Sequence, residues 1–249
     1  MSVLEALAIV GVGLVAGTIN TIVGSGSLIT FPTLLAFGFS PIVANVSNTV
    51  GLVPGSLSGA VAYRRELEGQ RPRLLVLGSA SVTGGITGAV LLLALPGSVF
   101  RHIVPVLILV ACVLVAVQPR LARRLSARHE PPAHGGLPLY LGVFATGVYG
   151  GYFGAAQGVI LMSLLGIFLD DHLQRLNAAK NVLALLTNAV SAVIFISVTH
   201  IAWEAAALVA VGSVVGGQIG GALGRRIPAA VLRVVIIVVG VTAASVLLA

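Results

Sequence analysis

Gly17-Thr18-Ile19-Asn20-Thr21-Ile22-Val23-Gly24-Ser25-Gly26-Ser27 interrupts an apolar run with glycines and small polar residues, and the short apolar piece Leu28–Phe39 follows it. A second copy lies 130 residues further on: Gly147-Val148-Tyr149-Gly150-Gly151-Tyr152-Phe153-Gly154-Ala155-Ala156-Gln157 leads into Val159–Leu169. Ala44-Asn45-Val46-Ser47-Asn48-Thr49 then matches Asn177-Ala178-Ala179-Lys180-Asn181-Val182 at an offset of 133, the difference falling in the polar turn Asp170–Arg175. Two long apolar segments follow each set. The repeat is weak residue by residue, but the order of its features is the same in both halves. Internal repeats with interrupted helices are common in secondary transporters.

Composition sets the environment. Hydrophobic residues make up 57% of the chain and charged residues 8%, against about a quarter charged in soluble domains. The stretches Val3–Val23, Ile42–Tyr63, Leu74–Leu95, Val104–Val117, Leu137–Phe153, Leu176–Val198, Ala205–Leu223 and Val231–Leu248 match or approach the roughly 20 residues of a spanning helix. Leu28–Phe39 and Val159–Leu169 are too short to span comfortably. None of these segments alternates in polarity, which argues against a β-barrel. The expected fold is therefore an all-α polytopic membrane protein, with broken or short helices near the midplane. Residues 1–118 form the first transmembrane repeat, 119–136 a flexible cytoplasmic linker and 137–249 the second repeat. Glu5 without a basic flank argues against a cleaved signal peptide. The single Cys112 excludes a disulfide framework.

Charge suggests the orientation. Arg64, Arg65, Arg71 and Arg73 fill one loop, Arg120, Arg123, Arg124 and Arg128 the linker, and Arg225, Arg226 and Arg233 a third cluster. The positive-inside rule places all three in the cytoplasm of a bacterial-type plasma (inner) membrane. The loop Thr199–Glu204 has no Lys or Arg and is expected outside. Equivalent points of the two repeats then lie on opposite faces, so the repeats are expected to be inverted. Three crossings before Arg64 and two after it satisfy this if the short segment is a crossing; a re-entrant segment changes the number. Gly13 and Gly17, Gly84 and Gly88, Gly147 and Gly151, and Gly212, Gly216, Gly220 and Gly224 have small-xxx-small spacing, which lets helix backbones approach closely.

Three groups of residues are candidates for chemistry. In the first, Asn20, Gly24, Ser25, Gly26 and Ser27 precede a short helix whose free N–H groups can hold an anion; Gln157 stands at the matching break. The alternative is a packing kink. In the second, Lys180, the sole lysine, is flanked by Asn177 and Asn181. Ionisable groups in membrane helices are costly and face cavities; the alternative is snorkelling, or a salt bridge to Asp170 or Asp171. In the third, Asn45, Ser47, Asn48 and Thr49 are the counterpart of the Lys180 region, with interhelical hydrogen bonding as the alternative. Pro54 marks a kink or a gate. The five histidines show no metal-ligand spacing. No Walker loop, H-E-x-x-H, G-x-S-x-G or TVGYG pattern occurs, so neither an ATP-driven pump nor a familiar enzyme or filter is expected. No cofactor, metal or nucleic acid is expected either. The expected partners are a small anion, protons and the lipid bilayer. A passive anion channel and a membrane scaffold without transport activity are the rival readings.

These motifs resemble the TauE/SafE-like sulfite exporter family. That family shows Asn-x-x-x-Gly-x-Gly-x-x-x-x-x-Pro followed by Ala-x-x-x-Asn, here Asn20, Gly24, Gly26, Pro32, Ala44 and Asn48. Its second half shows Gly-x-x-Gly-Gly-x-x-Gly, here Gly147, Gly150, Gly151 and Gly154. Members often carry glycine where this chain has Ser25 and Ala156, which bears on the shape of an anion cradle. The resemblance covers nearly the whole chain. It implies a transporter of sulfite, sulfonates or related organosulfur anions, working by alternating access.

Overall fold

The computed structural model describes residues 2–125 and 135–223, and in the last segment residues 234, 237–239, 241, 242, 244 and 245. The described residues form helices and no strand: α1 (Val3–Ile22), α2 (Ser27–Ala36), α3 (Pro41–Ala62), the 3-10 turn Arg64–Leu67, α4 (Arg71–Ala94), α5 (Gly97–Leu125), α6 (Gly136–Tyr152), α7 (Gln157–Phe168), α8 (Leu173–Val198) and α9 (Trp203–Leu223). Most of the apolar stretch Val231–Leu248 and the Arg225–Arg233 cluster lie outside the described residues. So do residues 126–134 of the linker; its first part is not a tether, because α5 continues to Leu125.

Local chemistry explains the ends. Ser2 and Glu5 form a reciprocal capping box at the start of α1, satisfying two free donors. Pro41 opens α3, where its missing N–H costs nothing. Gly24, with φ 87°, ends the first helix and Gly154, with φ 76°, follows α6; that left-handed backbone is cheap only for glycine. Ala156 adopts φ 59° without being glycine.

Five described helices are long and apolar enough to cross a membrane: α1, α4, α5 through Val117, α8 and α9. Outward-facing Leu75, Val113, Val193 and Val211 are exposed, as lipid-facing side chains are. The inward faces carry the polar residues: Asn45, Ser47, Asn48, Lys180, Thr187 and Ser213 are all buried.

The helices pack through their glycines. A Cβ on Gly17 would stand 2.4 Å from the Ser213 carbonyl oxygen, and one on Gly216 2.1 Å from that of Leu14. Gly84 and Gly88 of α4 meet Phe144 and Val148 of α6 as closely, at 2.3 and 2.0 Å. The first helix of each half thus packs on the fourth helix of the other: α1 on α9, and α6 on α4. Direction follows from the register. Gly13 faces Val209 while Gly17 faces Ser213, so α1 and α9 are parallel. Gly51 faces Val209 and Gly59 faces Gly217, so α3 is parallel to α9. In the other group, Gly84 faces Phe144 and Gly88 faces Val148, while Gly78 faces Leu186 and Gly85 faces Val190, so α4, α6 and α8 run together.

The short helices bear on the crossing count, which the sequence leaves open between a crossing and a re-entrant segment. Ten residues in α2 make about 15 Å of helix, half of the roughly 30 Å hydrocarbon core. Each also folds back along its predecessor. A Cβ on Gly26 would meet the Ala16 carbonyl oxygen at 2.3 Å. In the second half Gly150 abuts the Gln157 side chain and Gly142 abuts Leu164, an antiparallel register. Neither α2 nor α7 is long enough to cross the core by itself. Each is the returning arm of a helical hairpin.

At the two bends the halves touch. A Cβ on Gly24 would lie 2.3 Å from the Gly158 Cα, and one on Gly158 2.4 Å from the Gly24 Cα. Gly24→Ala combines that overlap with a left-handed backbone, and is expected to cost about 3 kcal/mol. It should lower the melting temperature in detergent by several degrees. Gly166→Ala on α7, where no atom lies within 4 Å of the new Cβ, should leave it unchanged.

Candidate functional site

The Gly158 N–H donates to the Gly24 carbonyl at 3.0 Å, which joins the two bends. Polar groups gather on either side of this bond. Ser25, next to Gly24, is buried and its hydroxyl has no partner; Gln157, next to Gly158, is buried and its Nε2 has none. The backbone N–H groups of Ser25, Gly26 and Ser27, and of Ala155 and Ala156, find no protein acceptor among the described residues. An unmade hydrogen bond in a buried place costs about 1–3 kcal/mol, so such a gathering of idle donors is unusual in a folded interior. These donors sit at the amino ends of α2 and α7, where the helix dipole adds partial positive charge.

The carboxyl end of α1 is organised oppositely. Lys180 is 1% exposed, and its Nζ donates to the carbonyls of Asn20 and Thr21, at 3.1 Å each. The Nδ2 atoms of Asn177 and Asn181 donate to the Thr21 carbonyl as well, at 3.2 and 3.3 Å. Both alternatives for the lysine are overturned. It does not snorkel, and Asp171 is engaged by Arg73 at 2.9 Å and Arg175 at 2.8 Å. In the second half the Asn45 Nδ2 donates to the Tyr152 carbonyl at the end of α6, 3.1 Å away. Each half therefore caps the other half's first helix with an amide from its third.

The remaining expected site residues divide. Asn48 accepts a hydrogen bond from the Thr30 hydroxyl of α2, which ties the returning arm to α3. The Asn20 Nδ2 donates to the Ser56 hydroxyl at 3.3 Å. Ser27 is only half-buried. Thr49 is turned away: its hydroxyl donates to the Asn45 carbonyl of its own helix at 3.0 Å. Gly26 packs on Ala16 and leaves no room for a side chain. Pro54 lies within α3. Among the described residues no cluster of His, Cys, Asp and Glu could hold a metal. Sequence reading missed Thr30, Ser56 and the Thr21 carbonyl. Thr30 could have been found, standing one turn beyond Gly26 on a short helix whose other polar residues are Ser27 and Thr33. The carbonyl carries no signal in the sequence.

On the Arg-rich side the halves are tied by charge. Burial pushes the Asp171 carboxyl up, but hydrogen bonds from Arg73 and from the His172 N–H, with the Arg175 charge, hold it below the ordinary carboxylate range. Gln70 donates to the Glu66 and Arg175 carbonyls at 2.7 and 3.0 Å, and Arg175 donates to the Glu68 carbonyl at 3.0 Å. The turn before α4 is thereby fastened to the start of α8.

Comparison with known proteins fits this architecture. The profile of the family described as "Sulfite exporter TauE/SafE" matches residues 9–247. The chain belongs to that family. A relative named "Probable membrane transporter protein YfcA", from Escherichia coli (strain K12), is 29% identical over 216 residues, covering 83% of this chain and 76% of its own. A "Probable membrane transporter protein" of Haemophilus influenzae is 26% identical over 215 residues, covering 83% and 80%. "Probable membrane transporter protein ORF9" of Sinorhizobium sp is 26% identical over 242 residues, covering 94% and 89%. No solved structure matches significantly. As a TauE/SafE member the protein is a multi-pass membrane transporter. Its first family motif, Asn20 to Gly26, forms the bend between α1 and α2, and Gly147 to Gly154 forms the end of α6 and the turn after it. Ala156, where members often carry glycine, retains the left-handed backbone that glycine would favour.

The Asp171 cluster gives a pH-dependent test. A carboxylate with a lowered folded pKa stabilises above its unfolded value, about 3.9, and loses that contribution as pH falls through the folded one. Asp171→Asn should therefore melt below the wild type at pH 7. The difference should shrink as pH drops below the ordinary carboxylate range, as followed by thermal melts in detergent.

Proposed function

We propose that this transporter is a secondary carrier of a small oxyanion, sulfite or a sulfonate-type organosulfur anion, which it moves across the plasma membrane by alternating access without chemical change. The observation that carries this reading is the pair of unpartnered buried donors, Ser25 and Gln157, flanking the Gly24–Gly158 contact. An oxyanion held there would accept from both side chains and from the idle N–H groups of two helix starts. This is the favourable arrangement for negative charge at a helix amino terminus. Lys180 adds a positive charge close by, through a spare ammonium proton or through space. Asn20, Asn48 and Asn181 hold the surrounding arms in place.

The helix directions support an inverted relation between the halves. α3 runs with α1 and α9, whereas its counterpart α8 runs with α4 and α6. If each hairpin enters from one face and returns to it, the first half makes three crossings, α3, α4 and α5, and three are proposed for the second, α8, α9 and one expected from the apolar sequence Val231–Leu248. Three is odd, so the inversion argument survives this count. The hairpins α1–α2 and α6–α7 then enter from opposite faces and meet at their tips. With the Arg64–Arg73 loop cytoplasmic, both termini are outside. Movement of one half against the other about the glycine contact would open the anion site first to one face and then to the other. The proton gradient or the substrate's own gradient would drive it.

The test is sulfite flux into proteoliposomes of purified protein, with and without a pH gradient, and with sulfate and taurine as competitors. Saturable flux with counterflow is expected. Ser25→Ala and Gln157→Leu should each raise the KM about tenfold or more, the cost of one hydrogen bond to a charged group, roughly 1.5–3 kcal/mol. Absence of flux above empty liposomes from folded protein would exclude sulfite. Unchanged affinity in both variants would refute the site.

A further inference from the structure

We infer that the Lys180 ammonium occupies a monovalent-cation site at the carboxyl end of α1, so that the chain carries, covalently attached, the cation that this site would otherwise draw from solution. The site starts from the helix end. In a continuing helix the Asn20 and Thr21 carbonyls would accept from the N–H groups of residues 24 and 25. The chain turns away instead: the Gly24 N–H goes to the Ile19 carbonyl, and the Ser25 N–H finds no acceptor. Two carbonyl oxygens are thus released at the negative end of a helix dipole.

The ammonium donates to both at 3.1 Å, serving the Asn20 carbonyl by itself and sharing the Thr21 carbonyl with the Asn177 and Asn181 amides. A third oxygen belongs to the same surroundings. Asn177 lies one turn before Lys180 on the same face of α8, and its Oδ1 is buried without a partner while its Nδ2 bonds Thr21. No carboxylate pairs with Lys180 among the described residues. Neutral oxygens, two of them main-chain carbonyls, are the ligands that replace the hydration shell of a monovalent cation. Carbonyls at interrupted helix ends are where transporters coordinate their coupling ions.

The other half shows what the lysine replaces. Position 47, 133 residues before Lys180, is a serine, and its hydroxyl accepts from the Ala202 N–H at 2.9 Å. The carboxyl end of α6 receives the neutral Asn45 amide. Only one of the two matched helix ends is met by an amine; the other is met by a neutral amide.

The test reads stability, not flux, so it stands apart from the transported anion. Purified wild type, Lys180→Ala and Lys180→Met are melted in detergent with propylammonium chloride or choline chloride at equal ionic strength. Propylammonium has the head group and nearly the length of the deleted side chain; choline is quaternary and donates nothing. A ligand that binds only the folded form raises its melting temperature. The wild type should respond equally to both salts. Lys180→Ala should melt lower in choline and recover by several degrees in propylammonium. Lys180→Met, which fills the alkyl space and brings no charge, should melt lower in both. Equal melting of Lys180→Ala in the two salts would overturn the inference, as would its failure to fold in either. Wild-type stability of Lys180→Met would overturn it too.

Discussion

Two glycines meet backbone to backbone inside this transporter, and most of the structure is arranged around that contact. Gly24 and Gly158 approach so closely that a methyl group on either would overlap the other's main chain. The approach is possible because both chains reverse direction there. Each reversal releases N–H groups at the start of a short helix and carbonyls at the end of a long one. In a membrane such groups must be satisfied by protein or by a water-filled cavity. The contact therefore creates the polar requirement that the surrounding helices then meet.

They meet it unevenly, and the unevenness is informative. The Asn20 and Thr21 carbonyls at the end of α1 are served by Lys180, Asn177 and Asn181. The end of α6 is served by Asn45. The donors at the starts of α2 and α7 are left idle, including the Ser25 hydroxyl and the Gln157 amide. A fold that only needed to pack would have little reason to serve the Asn20, Thr21 and Tyr152 carbonyls and leave the Ser25 and Gln157 donors waiting. Idle donors at two helix starts suit a ligand that brings negatively charged oxygens. The glycine-lined pairs α1 with α9 and α4 with α6 let the helix backbones of the two halves approach closely.

Much of this was legible in the sequence. Long apolar runs gave most of the helices to within a few residues, as Val3–Val23 became Val3–Ile22, but Val104–Val117 became the much longer Gly97–Leu125. Glycines four apart marked the close faces, because that spacing has few other uses in an apolar helix. The breaks were visible as glycine and serine where leucine would be expected. What was not legible depended on tertiary direction. Nothing in Leu28–Phe39 distinguishes a short crossing from an arm that folds back; that is settled by Gly26 resting on Ala16. Lys180 was identifiable as unusual, but its partners are main-chain carbonyls, which every residue has. Thr49 shares a polar run with Asn48 yet turns to its own helix, a choice that spacing alone does not encode.

The most direct measurement is an experimental structure of the purified protein soaked with selenite, the heavier analogue of sulfite, recorded at the selenium edge. The expected result is an anomalous peak within hydrogen-bond reach of Ser25 and Gln157, at the meeting of the two bends. Selenium located instead among the arginines of the Arg64–Arg73 loop, with Ser25 and Gln157 still unpartnered, would contradict the assignment of the bends as the anion site.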